Sequence, residues 1–287
     1  MLQEIFQLFL NGLLLGGIYA LISIGLTLIF GVIEIINFAH GEFLMLSMYA
    51  SYWLFQYYGI DPYLSLIIVV PLFFGIGIVV QRGIIQPLLD APSLNQVFAT
   101  VGVSLALQNV ALVLWKADFR TVETDYGGKT FDVSGLMVSF PRLVAFGVSV
   151  AIILFLFTYL KKTYTGMAIR ALAQQRRAAM LMGINVHRTY QIAFGIGLAC
   201  VGAAGAVLIP VYYTFPTVGT FFVLVAFVVV VLGGYNSLGG ALVGGLMIGI
   251  VETFSGYFLS PHLKEGVYFI IFILFLVFRP NGLFGRE

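Results

Sequence analysis

Long apolar stretches recur along the whole chain and give the first indication of its structure. A helix needs about 20 apolar residues to cross the hydrocarbon core of a bilayer, and stretches of about that length follow one another from the first residues to the last. The pattern predicts nine membrane-spanning segments at about 6–31, 36–57, 62–82, 94–115, 141–160, 190–211, 219–235, 240–259 and 265–279. The seventh and eighth are short and rich in glycine, so broken or re-entrant segments are an alternative there. The expected count is eight or nine spans.

Composition indicates a membrane protein that forms one domain. Of the 287 residues, 61% are hydrophobic and 9% are charged, whereas soluble domains carry roughly 25% charged residues. We therefore expect residues 1–287 to form a single all-α polytopic domain covered by lipid. The apolar run at the N-terminus is too long for a signal peptide and is expected to be retained as the first span. The lone Cys200 excludes an intrachain disulfide and a Cys-rich metal site.

Positive charge is concentrated in one stretch of the chain. Residues 161–188 contain six Lys or Arg residues and no acidic one. Because such stretches remain on the cytoplasmic side of a membrane, the segment of about 161–189 is predicted to be cytoplasmic. The loop of about 116–140, where acidic residues outnumber basic ones, then lies outside. With nine spans the N-terminus is outside, and the C-terminus, with Arg279 and Arg286, is cytoplasmic.

The middle of the basic segment has the composition of a surface helix. From Met167 to Met182 there is no Pro or Gly, and good helix formers dominate. On a continuous helix Arg170, Gln174 and Arg177 would share one face, and Gly183 would end the helix with a left-handed cap. The pattern predicts a helix that lies along the membrane or against a partner. The alternative is a loop that only sets the orientation of the chain.

Pairs of small residues at helical spacing are frequent in the predicted spans. They include Gly12 and Gly16, Gly240 and Gly244, and Gly245 and Gly249. Such pairs allow helix backbones to approach closely in lipid. We expect them to pack helices together, and the alternative is that flexible Gly-rich helices line a gate.

Several strings in the sequence resemble one family of transport proteins. The segment Arg177–Gly183 (RAAMLMG) is similar to the EAA-xxx-G loop of ABC importer permeases, with Arg177 in place of the usual Glu. The stretch Gly25–Ala50, the string GMAIRALAQ, the run Gly233–Gly245 and the C-terminal FRPNGLFG resemble the permeases of branched-chain amino-acid importers, the LivH type. That family also includes importers of amides, urea and other small carboxylates.

The resemblance implies a type II-like ABC importer permease of the bacterial inner membrane, with a cytoplasmic coupling helix. The expected partners are a second homologous, LivM-like permease, two ABC ATPase subunits and a periplasmic substrate-binding protein. The sequence lacks the GxxxxGK[ST] phosphate loop, so no cofactor is expected in this chain and ATP and Mg²⁺ would be bound by the ATPases. The residues assigned to ATPase coupling are Arg170, Gln174, Arg177, Ala178, Ala179 and Gly183.

Polar side chains inside the predicted spans are candidates for the substrate path, because they are costly in a bilayer. The candidates are Asn37, His40, Glu42, Gln108, Asn109 and Glu252. For Asn37, His40 and Glu42 the alternative is that they brace a helix turn through hydrogen bonds to neighbouring backbone. Each of the others faces either a path or another helix.

Two other classes of function were weighed against the importer. A stand-alone secondary transporter or channel would use His40, Glu42 and Glu252 as a proton relay. An intramembrane enzyme is disfavoured, because the three histidines, including His187 and His262, lack metal-ligand spacing and no G-x-S-x-G nucleophile motif is present. A nucleic-acid interface is not expected either, since the basic segment lies too close to the membrane.

Overall fold

The computed structural model describes residues 1–133, 135–260, 263–279 and 282–284. His262, the Pro280-Asn281 pair of the C-terminal motif and Arg286 lie outside the described residues.

The prediction of an all-α polytopic membrane protein is confirmed. Each of the nine predicted segments coincides with a helix: α1 (Leu2–Ile33), α2 (His40–Tyr58), α3 (Pro62–Val80), α4 (Ser93–Trp115), α5 (Phe140–Lys162), α8 (Val186–Leu208), α9 (Val218–Gly233), α10 (Leu238–Phe258) and α11 (Lys264–Phe278). Within the described residues, six helices are long and apolar enough to span a bilayer, namely α1, α4, α5, α8, α10 and α3 with its continuation to Leu88. The predicted count of eight or nine is compatible with these six and the three shorter or less apolar helices beside them.

One side of the bundle, called here the hairpin side, carries a small sheet that the apolar pattern did not predict. Strands β1 (Thr130–Val133) and β2 (Leu136–Ser139) form an antiparallel hairpin. The side chain of Gln7 exchanges two hydrogen bonds of 2.8 Å with the backbone of Met137, which ties the start of α1 to the hairpin. Beside the hairpin, the Tyr126 hydroxyl donates to Asp61 at 2.6 Å, and burial and this carboxylate raise the pKa of Tyr126.

The opposite side, called here the basic side, carries two short helices between α5 and α8. These are α6 (Tyr164–Gln174) and α7 (Arg176–Leu181). Phe284, near the end of the chain, reaches the same side, because its backbone N–H donates to the carbonyl of Gly233 at the end of α9. The C-terminal segment and the basic segment therefore lie together.

Helix α1 runs through the middle of the bundle and is the most buried of the six long spans. Its glycine face packs against α10: a Cβ on Gly16 would lie 2.7 Å from the Cα of Leu246, and a Cβ on Gly245 would lie 2.6 Å from the Cα of Ala20. The predicted role of these glycines in close helix packing is confirmed.

Two helices, α2 and α9, begin inside the bundle. Glu34 adopts a left-handed conformation (φ 61°) after α1, and the chain then turns back. The ring of His40, at the start of α2, lies 3.0 Å from the carbonyl of Ile22, which is eleven residues and about 16 Å before the end of α1. The first turn of α9 meets the first turn of α2, where a Cβ on Gly219 would lie 2.5 Å from the carbonyl oxygen of Gly41.

The sequence analysis offered broken or re-entrant segments as an alternative for the seventh and eighth spans. The seventh segment is an unbroken helix of 16 residues, which begins at Val218 inside the bundle and ends at Gly233. The eighth is an unbroken helix of 21 residues, so the broken-segment alternative is wrong for it. The glycines there serve packing, since a Cβ on Gly240 would lie 2.6 Å from the carbonyl carbon of Gly233.

The helices of the first and second parts of the chain pack on one another. Helix α1 packs most extensively on α10, and α8, which runs in the opposite direction, packs most extensively on α3. Where α1 crosses α8, Gly25 and Gly197 face each other, and a Cβ on either would lie within 2.8 Å of the other's carbonyl oxygen. Helix α2 packs on α8, and α9 packs on α1, so the meeting point of α2 and α9 lies beside this crossing.

Candidate functional site

A polar cluster lies where α2, α4 and α9 meet inside the bilayer. Glu42, in the first turn of α2, is buried, and its Oε1 accepts hydrogen bonds from Gln108 Nε2 (2.7 Å) and Ser104 Oγ (3.4 Å) of α4. Gln108 also donates to Thr220 Oγ1 of α9 at 3.0 Å. We call these four residues the Glu42 cluster. It is the hydrogen-bonded link between three helices.

The local structure explains how a carboxylate is accommodated at this depth. Glu42 lies at the N-terminus of α2 and close to that of α9, and helix N-termini carry partial positive charge. A Cβ on Gly219 would lie 2.7 Å from Glu42 Oε2, so the glycine leaves room for the carboxylate. Among the described residues Oε2 has no hydrogen-bond partner. This oxygen is enclosed by the surrounding residues, so it is a buried acceptor rather than an open one.

The other polar candidates on or just before these helices, His40, Asn37 and Asn109, have different hydrogen-bond partners. His40 Nε2 pairs with the backbone of α1, and Asn37 Oδ1 accepts a hydrogen bond from the Ala39 N–H at 3.1 Å. Both contacts brace the turn that precedes α2, in line with the structural alternative. Asn109 is exposed and donates to Leu105 within its own helix at 2.7 Å. Of the neighbouring pair, only Gln108 thus reaches the Glu42 cluster.

Glu252 belongs to a separate site near the hairpin side. Its carboxylate is 3% exposed and accepts hydrogen bonds from the Tyr19 hydroxyl and from the Lys264 ammonium, each at 2.6 Å. A cavity of about 260 Å³ opens beside it, and Asn11, Arg142, Tyr212 and Lys264 contribute to its lining. None of the described hydrogen bonds joins Glu252 to His40 or Glu42, so these three do not form a connected relay in the described structure.

The cavity beside Glu252 carries a net positive charge. Arg142 and Lys264 supply two cations against the single carboxylate of Glu252, and none of the described hydrogen bonds or ion pairs involves Arg142. A small anionic group such as a carboxylate suits this arrangement. The sequence analysis missed both cations. Their positions in the sequence could have identified them. Arg142 and Lys264 lie at ends of spans that are predicted to be outside, where the positive-inside bias makes basic residues less common.

We expect Lys264→Met to lower the stability of the protein, because it leaves the buried carboxylate of Glu252 without its counter-ion. Since Lys264 is 30% exposed, the loss should be about 1–3 kcal/mol, below that for a fully buried pair. Thermal unfolding in detergent measures it. The double variant Lys264→Met with Glu252→Gln should recover most of the loss, and Lys129→Met, on the exposed loop, should cause none. Equal melting of Lys264→Met and wild type would show that the pair contributes nothing.

The basic segment folds as two helices, so the prediction of one continuous helix from Met167 to Met182 is wrong. Gln175 is extended (φ −158°, ψ 100°) and separates α6 from α7. The break turns α7 onto α8, where the Arg176 guanidinium lies 5.8 Å from the ring centroid of Tyr190. Tertiary packing therefore overrides helix propensity. As a result, Arg170 and Gln174 do not share one helical face with Arg177.

Helix α7 ends as the sequence predicts. Gly183 is left-handed (φ 81°), its N–H donates to the carbonyl of Met180 at 3.0 Å, and the Ile184 N–H donates to the carbonyl of Ala179 at 3.1 Å. These two bonds form a Schellman motif, which satisfies carbonyls at the helix end. The predicted left-handed cap is confirmed.

The exposed surface of α7 differs from the one that sequence reasoning selected. Ala179 is 4% exposed and packs within its own chain, whereas Arg170, Gln174, Arg177, Ala178 and Gly183 are exposed. The two most exposed apolar residues here are Leu181 (89%) and Met182 (82%), which the analysis did not select. The sequence feature that could have identified them is the presence of two large apolar side chains in a segment that is otherwise basic. We call Leu181 and Met182 the apolar tip.

Comparison with known proteins identifies a family and several relatives of this chain. Residues 8–276 match the family described as the permease component of branched-chain amino acid transport systems. The chain is 34% identical over 303 residues to the high-affinity branched-chain amino acid transport system permease protein LivH of Escherichia coli K12, covering 99% of this chain and 96% of that protein. It is 32% identical over 296 residues to the corresponding BraD of Pseudomonas aeruginosa, covering 98% and 95%.

A solved structure shares the fold. PsaBC from Streptococcus pneumoniae, determined in complex with Fab, superimposes with a TM-score of 0.52 at 16% identity, and the match covers 95% of both chains. At that identity the likeness concerns the arrangement of the helices.

Proposed function

This chain belongs to the family of branched-chain amino acid transport permeases, and from that membership we propose that it is the membrane-spanning subunit of an ATP-driven importer. Its substrates would be branched-chain or related small amino acids, moved across the bacterial inner membrane. It would pair with a homologous, LivM-like permease, two ATPase subunits that bind ATP and Mg²⁺, and a periplasmic binding protein. The basic side and the C-terminus would face the cytoplasm.

The observation that carries this proposal is the apolar tip. Leu181 and Met182 project from a rigidly capped helix at the basic side, where no described part of the chain covers them. Exposed apolar groups with a polar rim mark sites of protein association. A groove in an ATPase subunit is the partner that the family membership supplies. Because the sequence has no phosphate loop of its own, such a partner would also provide the ATP hydrolysis.

The packing of α7 supports a route by which motion of the ATPases reaches the spans. Arg176 and the buried Ala179 hold α7 against α8, and α8 packs along α3 and across α1 through Gly197. A displacement of the apolar tip would therefore move the centre of the bundle rather than a loose loop. Interior packing transmits such shifts because it is dense and deforms little.

The Glu42 cluster supports a path along α4. Helix α4 is the least buried of the six long spans, and its described polar links to α2 and α9 pass through Gln108 and Ser104. Its exposed face would line the path together with the second permease. A substrate carboxylate would enter near Arg142 and Lys264, and the substrate would then pass along α4 beside the Glu42 cluster.

Reconstitution tests the proposal against a proton-driven transporter. We expect liposomes that contain this chain, its permease partner and the two ATPases to accumulate leucine when ATP and loaded binding protein are supplied. An imposed pH gradient without ATP should drive no accumulation, because His40, Glu42 and Glu252 form no connected relay. Accumulation by this chain alone, driven by the pH gradient, would overturn the proposal.

A further inference from the structure

A groove on the outer surface of the bundle has the shape of a lipid site. It is about 660 Å³ in volume and lies between α3, α5 and α8. Its lining is almost entirely apolar, with Pro71, Phe155, Ile196 and Ala199 among the residues, and none of the lining residues is acidic or basic. Ile67 and Phe155 at its walls are more than 70% exposed. The groove therefore faces the hydrocarbon of the bilayer.

The groove has the length of one leaflet. On α5 its lining runs from Val148 to Tyr159, and on α8 from Ile192 to Ala203. Each stretch covers eleven residue steps, or about 16 Å, whereas the whole hydrocarbon core is about 30 Å thick. Tyr159 lies three residues before the end of α5, so on that helix the groove approaches the basic side, whereas on α8 its lining is centred on the helix. A single acyl chain spans that same distance.

Each of the three helices continues its groove-lining stripe into a basic residue at the same end. Lys162 follows Tyr159 by three positions on α5, and Arg188 precedes Ile192 by four positions on α8, so both lie on the stripes that line the groove. Arg82 follows Phe74 by eight positions, in the π-helical turn (Gln81–Ile85) that ends α3. All three side chains are exposed. Each of the three helices therefore carries one exposed basic residue between the groove and the basic side.

We propose that the groove between α3, α5 and α8 binds a phospholipid with an anionic headgroup, with one acyl chain in the groove and the phosphate among Arg82, Lys162 and Arg188. A neutral phospholipid would fill the groove without an ionic contact. Juxtamembrane Lys and Arg residues attract anionic lipid individually, and here each of the three helices that line the apolar groove carries one beyond the basic-side end of its lining. The bound lipid would hold α5 against α3 and α8, next to the segment that leads to the apolar tip.

Native mass spectrometry of the purified full chain tests the site. The chain is exposed to equal amounts of phosphatidylglycerol and phosphatidylcholine, and retained lipid is counted. We expect one phosphatidylglycerol per chain in preference to phosphatidylcholine. The combined variant Arg82→Gln, Lys162→Gln and Arg188→Gln should lower its retention about tenfold or more. A matched variant that neutralises Lys116, Lys129 and Arg279, away from the groove, should retain it.

A second variant separates the groove from the headgroup site. Ala199→Trp keeps all three cations but fills the slot, and it should also lose the lipid, while Ala106→Trp on the exposed face of α4 should not. The comparison of phosphatidylglycerol with phosphatidylcholine uses the wild-type chain, so it does not depend on whether any variant folds. Equal retention of both lipids, retention by the triple variant, retention by Ala199→Trp, or a lipid-free dimer of the chain would each overturn the proposal.

Discussion

Leu181→Asp and Met182→Asp are each expected to abolish co-purification of the ATPases and ATP-driven uptake, while membrane insertion stays at the wild-type level. Both side chains are more than 80% exposed at the basic side, so the folded permease loses no packing when they change. A partner groove that buries them would have to bury a carboxylate instead, which is costly without a partner charge. The loss should match that of an interface hot spot, about 2 kcal/mol or more. Pull-down of the ATPases from solubilised membranes measures it.

Two comparisons make this result specific. Tyr164→Asp adds the same charge at the exposed start of α6 and should leave ATPase binding intact. Ala179→Asp should also lose the ATPases, but for another reason: Ala179 is buried against its own chain, so this variant should melt at a lower temperature. If the Leu181 and Met182 variants retain the ATPases, the apolar tip is not the docking surface.

Gly41→Val is expected to prevent stable folding. A Cβ at this position would overlap the carbonyl oxygen of Gly219, and it would lie 2.9 Å from the Cβ of Val223. Two backbones meet here at the N-termini of α2 and α9, so neither can yield without moving a helix. Overpacking of this kind costs about 1–3 kcal/mol and sometimes more. The yield of monodisperse protein and its thermal unfolding midpoint in detergent measure the effect.

Gly75→Val is the matched control, because no atom lies within 4 Å of the Cβ that it would add on the outer surface of α3. It should be expressed and should melt like the wild type. Similar melting of both variants would mean that α2 and α9 do not approach each other as closely as described.

The spans could be predicted because each depends on a local property, the length of an apolar run. The depth at which a helix begins is not a local property of the sequence. The string that contains His40 and Glu42 differs little in hydropathy from a helix end, and only the contact of His40 with Ile22 shows that α2 starts inside the bundle. The hairpin has strands of four residues each, which is too short for an alternation of apolar and polar residues to stand out.

The polar residues illustrate the same limit at the level of the site. Sequence reasoning selected Glu42 and Gln108 separately because polar groups are rare in spans, but the bond between them joins residues 66 positions apart. For Glu252 the partner was missed altogether, since Lys264 lies beyond the predicted end of the span. On α7, helix propensity predicted a continuous helix, and the contact of Arg176 with Tyr190 was needed to explain its separation from α6.

The central position of α1 has a consequence for the order of synthesis. This helix emerges from the ribosome before α10, the helix that covers its glycine face, which begins at Leu238, about two hundred residues later. At about 5–20 residues per second, α1 waits roughly 10–40 s in the membrane with that face uncovered. The central helix of the protein is therefore inserted well before it is enclosed, so that a chain truncated before α10 presents an unpaired glycine face to the quality-control machinery of the cell.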